Sequence, residues 1–159
     1  MEAEFRTTLS SLHESCDLEV MKRTILTRMM DLEDEGCIDE RGPGHVVFRR
    51  VYATNPMIER IFGLQQISAP QRTDFSQDGI RTHGTSRMAV LGCSIGFSIE
   101  INYAQTADGV KVVANVLIDM NDLAPSMIAI ARPVLDTFMR RRFDEERAAE
   151  AEVMEGSRP

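Results

Sequence analysis

Two stretches of strict alternation dominate the chain. Ile95, Phe97, Ile99, Ile101 and Tyr103 are separated by Gly96, Ser98, Glu100 and Asn102, and beyond a turn at Asp108-Gly109 the pattern resumes with Val110, Val112, Ala114, Val116, Ile118 and Met120. Successive strand residues point to opposite faces, so period two predicts two strands with one buried face each. The Asp-Gly turn predicts that they pair antiparallel. Upstream, residues 66–75 and 80–91 read as two more strands around a polar turn at 76–79, and 46–52 as a strand rich in β-formers with two arginines inside it. A meander of at least five strands follows.

Elsewhere the apolar residues fall at steps of three and four. Leu18, Met21, Ile25, Met29 and Leu32 form one helical stripe, with Asp17 placed to cap its start and Gly36 to end it in the left-handed conformation. Asn55-Pro56 opens a short helix over 57–62 that Gly63 closes. Met127, Ile130, Ala131, Val134, Phe138 and Met139 keep helical spacing in a last element of about twenty-five residues, capped by Asn121 or Asp122. Pro133 lies inside it, where the missing N–H and a clash with the Ala129 carbonyl predict a kink. Phe5, Leu9 and Leu12 suggest a short docking helix over 1–12. The run DEERAAEAEVMEG after Phe143 reads as a solvated, fraying end.

The fold class is thus α+β: an antiparallel sheet, then a long C-terminal helix, with an additional N-terminal helical segment. Residues 1–45 are expected to form an extension packed on the body, 46–147 the main domain, and 148–159 an acidic frayed tail. At 159 residues, one domain with one substantial core is expected. A net charge of −7 disfavours non-specific attraction to nucleic acid or anionic lipid. Cys16, Cys37 and Cys93 form no C-x-x-C pair and no signal segment opens the chain, which points to reduced thiols and a cytoplasmic address. His13, His45 and His83 have no metal-ligand spacing, and no metal or cofactor is implied.

The order of strand, short helix, meander and long helix is carried by VVFRRVYATNPMIERIFG at 46–63 and GVKVVANVLIDMNDLAPSMIAIARPVLDTFMRRRFDEE at 109–146. Over 46–147 it resembles the START-like or helix-grip (SRPBCC) superfamily of lipid-transfer domains, polyketide cyclases and plant pollen-allergen proteins. The resemblance implies a curved sheet wrapped around the final helix, with an apolar cavity between them for a hydrophobic small molecule, a lipid or an aromatic, polyketide-like compound. The implied lining is Phe97, Ile99, Ile101 and Tyr103 from one strand, Val112, Ala114, Val116 and Ile118 from the next, and Met127, Ile130, Val134 and Phe138 from the helix. A filled core would show the same alternation. Ten methionines favour an adaptable interior.

A binding or carrier protein is therefore the leading expectation, and a homo-oligomer is compatible with it. A cyclase-like or hydratase-like enzyme on the same fold is the first alternative, with Glu100, Asn102, Tyr103, Asn115, Asp119, His83 and Arg87 as its polar candidates. Strand parity turns Glu100 and Asn102 away from Tyr103, so no catalytic constellation assembles from the sequence. The second alternative is a winged-helix DNA-binding regulator over 17–51, with Lys22, Arg23 and Arg28 on the reading helix and Arg41, His45, Arg49 and Arg50 at the wing. The six basic residues of 17–50 are outnumbered there by eight acidic ones, which makes nucleic acid a poor partner.

Overall fold

A computed structural model describes residues 3–156. Seven strands form one antiparallel sheet: β1 (Glu4–Glu14), β2 (Ile38–Gly42), β3 (His45–Ala53), β4 (Gln66–Phe75), β5 (Ile80–Val90), β6 (Cys93–Gln105) and β7 (Gly109–Asp119). Helix α1 (Leu18–Asp34) follows β1, α2 (Pro56–Phe62) joins β3 to β4, and α3 (Pro125–Gly156) ends the fold. The spatial order is β1-β7-β6-β5-β4-β3-β2, so the five-strand meander from β3 to β7 stands as predicted and β1 closes its far edge. Leu9 of β1, Tyr52 of β3 and Phe97 of β6 border one space with Phe138 of α3, which requires the sheet to curve around that helix.

The local chemistry explains the elements. The Asp17 carboxylate accepts from the Val20 N–H at 2.8 Å and caps α1. Asn55 does the same for Ile58 in α2, and Gly63 ends that helix at φ 68°. The α1 stripe enters the core through Met21, Ile25 and Met29. At Gly109 (φ 152°) a Cβ would come within 2.1 Å of the His13 carbonyl, so only glycine lets β7 begin this close to β1.

Four expectations need correction. Residues 4–14 are strand rather than helix: β1 pairs with β7 from Glu4↔Asp119 to Glu14↔Gly109. Phe5, Leu9 and Leu12 suit a helical stripe, but Phe5, Thr7, Leu9, Ser11 and His13 also alternate inward, and the backbone edge of β7 demands a partner. Helix α3 starts at Pro125, because Asp122 instead accepts from the Ser94 N–H at 2.8 Å and the Asn121 N–H donates to Asp119 at 2.9 Å. It spans 32 residues, and Glu150 and Met154 are buried, so 148–156 is packed helix and not a frayed tail. Residues 157–159 of the expected tail and residues 1 and 2 lie outside the described residues. The first 45 residues contribute β1, α1 and β2 to the shared sheet and core rather than an appended helical extension.

The described residues build two apolar clusters. One gathers α1 and the end of α3 (Phe143, Met154) against β1, β3 and β7. The other gathers α2 and the start of α3 (Ile128, Ala131, Leu135, Phe138) against β4, β6 and β7. Among the described residues no helix is long and apolar enough to cross a membrane.

Candidate functional site

Where the two clusters meet, the concave sheet face and α3 do not close fully. A cavity of about 100 Å³ remains, with mainly apolar walls. Alternation places Phe97, Ile99 and Ile101 of β6 and Ala114 and Val116 of β7 on its floor, and Phe138, Met139 and Phe143 of α3 form the roof. Leu9, Tyr52 and Ile67 add walls from β1, β3 and β4.

Six of the twelve residues expected to line a pocket therefore do so: Phe97, Ile99, Ile101, Ala114, Val116 and Phe138. Val112 and Ile118 face the same side of β7 but are wholly buried in packed core on either side. Met127 and Val134 pack against the core around α2 without reaching the cavity. Ile130 is a correction, since it is 52% exposed on the solvent face of α3. The helix turns about 100° per residue, so its inward stripe runs through Ile128, Ala131, Leu135 and Phe138 and leaves Ile130 outside.

Tyr103 belongs to the polar end. A second space of about 60 Å³ adjoins the first, sharing Tyr52, Gln71, Ile101, Glu146 and Arg147 with it. Around it lies a network that the sequence reading missed. Glu150 is fully buried, and its Oε2 accepts from the Tyr103 hydroxyl at 2.7 Å. Its Oε1 accepts from Arg147 Nε at 2.5 Å and lies 3.1 Å from His13 Nε2. Glu146 lies one turn earlier, with Oε2 held by Arg28 at 2.8 Å and by Arg50 at 2.5 Å, and Oε1 by Arg142 at 3.0 Å. The guanidinium of Arg147 also stacks on Phe143, 4.9 Å from the ring centre, and that of Arg142 on Tyr52 at 4.6 Å.

These contacts set the protonation states. Burial alone would raise the Glu150 carboxyl, but the hydrogen bond to His13, the charge of Arg147 and the Tyr103 hydroxyl together hold it below the usual carboxylate range. Glu146 is likewise lowered, its burial outweighed by the charges of Arg50 and Arg28. Burial pushes the Tyr103 phenol far above its ordinary value, and the neighbouring Glu150 charge adds to that. Tyr103 and a carboxylate thus share one site, yet the phenol stays neutral and the carboxylate ionised at neutral pH.

The other polar candidates sit on the convex face. Glu100 pairs with Arg81 at 3.0 Å and accepts from Asn102 at 2.9 Å, and Arg87 reaches Asp119 at 2.8 Å. Asn115 accepts from Thr8 at 2.9 Å, and His83 lies 3.6 Å from Asp74. The winged-helix alternative finds most of its basic residues already engaged by carboxylates. Arg28 and Arg50 turn inward to Glu146, Arg49 pairs with Asp39, Arg41 with Glu33, and Lys22 with Glu19.

No protein-family model matches the chain, and no curated protein matches it. A crystal structure of Ara h 8.0201 aligns with 96% of this chain and 96% of its own, at 10% sequence identity and a TM-score of 0.40. At that distance no residue role is carried from one protein to the other.

Proposed function

We propose that this protein binds a hydrophobic small molecule in the cavity between the sheet and α3, as a carrier or binding module. The observation that supports this most is the cavity's composition, with aromatic and aliphatic side chains of five strands and α3 on its walls and the charged groups, Arg142, Glu146 and Arg147, all on the last part of α3. Ligand sites combine an apolar body with a few convergent polar groups in this way. Size narrows the ligand. A volume of about 100 Å³ is below the roughly 300–1,000 Å³ of drug-sized pockets and nearer the about 150 Å³ that holds a benzene ring. A single-ring aromatic or short aliphatic compound fits better than a long-chain lipid. The test is binding of an environment-sensitive apolar dye, expected at micromolar strength and displaced by one-ring aromatics. Ala114→Phe should fill the cavity and abolish binding, at a stability cost of about 1–3 kcal/mol. A folded wild-type protein that leaves the dye in water contradicts the proposal.

A further inference from the structure

At the polar end of the cavity every carboxylate oxygen is engaged, while two guanidinium N–H groups are not. Each oxygen of Glu146 and Glu150 already accepts at least one hydrogen bond. Arg147 uses Nε and Nη2 on Glu150 and Tyr103, but its buried Nη1 has no hydrogen-bond partner among the described residues, and the side chain is 8% exposed. Arg142 uses Nη1 on Glu145 and Nη2 on Glu146, and its Nε is buried and unpartnered in the same way. Both arginines line the apolar cavity. Charge points the same way: the guanidinium groups of Arg28, Arg50, Arg142 and Arg147 meet the carboxylates of Glu145, Glu146 and Glu150, which leaves one positive charge in excess.

A buried N–H without an acceptor is costly, and native structures seldom keep one without a reason. Building on the binding reading above, we infer that the ligand is an amphipathic carboxylic acid, its carboxylate accepting from Arg147 Nη1 and Arg142 Nε while its ring or short chain lies among Phe97, Val116 and Phe138. Two charge-assisted hydrogen bonds in a poorly hydrated site favour the anion over a neutral isostere. A guanidinium, with its planar array of donors, suits a carboxylate better than an ammonium would.

The experiment compares 3-phenylpropionate with 3-phenylpropan-1-ol as competitors for the apolar dye at pH 7, on the full chain. The acid is expected to bind at least tenfold tighter than the alcohol. Arg142→Gln, at a partly exposed position, should weaken the acid about tenfold and leave the alcohol within twofold. Arg147→Lys adds a second variant that keeps the charge beside Glu150 and shortens the fork, and it should also weaken the acid selectively. Equal affinities in the wild type, as expected if water alone meets these donors, overturn the inference while the binding proposal stands. Failure of both compounds and of the dye overturns the two together.

Discussion

Along α3 one stripe stays buried from Ile128 to Met154, yet its two halves bury opposite chemistries. The first half offers Ile128, Ala131, Leu135 and Phe138 to aliphatic partners on β4, β6, β7 and α2. The second, after a five-residue step to Phe143, runs through Glu146, Arg147, Glu150 and Met154, and there burial is made tolerable by ion pairs and hydrogen bonds. Apolar packing degrades gradually when an atom group is lost. A buried ionic network does not, because removing one partner leaves the other charged and desolvated. The two halves should therefore respond differently to similar cuts.

The largest effect is expected from ending the chain after Arg147. That removes Glu150 and Met154, leaves Arg147 buried without its carboxylate, and exposes the apolar cluster under α1. The loss should approach the whole of a domain's about 5–15 kcal/mol, so circular dichroism should show a largely unfolded chain. Glu150→Gln comes next, at about 3–5 kcal/mol in urea unfolding. Its pH dependence sharpens the point. The Glu150 carboxyl is lowered in the folded state, so its stabilisation is present above the ordinary carboxylate range and fades as pH falls through the depressed value. Between pH 7 and pH 3 the wild type should lose more stability than the Gln variant.

Phe138→Ala should cost near the lower end of about 3–5 kcal/mol, since one side of the ring already faces the cavity and has fewer packed neighbours to lose. Smallest of all should be Glu100→Gln on the convex face. Its partner Arg81 is half-exposed and solvated either way, so no change in the urea midpoint should be resolvable.

The meander from β3 to β7 and the apolar half of α3 were legible because alternation and helical spacing are strong signals when the buried residues are apolar. The polar half was not, because a charged residue on a stripe ordinarily marks where burial ends. The signal was nevertheless there. Arg28 falls three residues after Ile25 and seven after Met21, and Arg50 keeps strand parity with Val46 and Phe48. Arg142, Glu146 and Glu150 extend the steps of Phe138. Opposite charges on the inward stripes of three elements, α1, β3 and α3, mark an internal network more readily than any one of them does. β1 was hidden for another reason: its inward positions include Thr7, Ser11 and His13, so its alternation is weak and only the open edge of β7 decides the strand. The cavity itself is a small misfit between α3 and the sheet, a matter of distance that residue types do not encode.

The most direct test is a solution NMR titration with 3-phenylpropionate on protein carrying labelled methyl groups. Ring protons at saturation should give nuclear Overhauser contacts to the methyls of Ile99, Ala114 and Val116, and Ala114→Phe should abolish them. Saturation with no contact to those methyls, or with contacts only to Leu26 and Met30 on the exposed face of α1, would contradict an internal binding cavity.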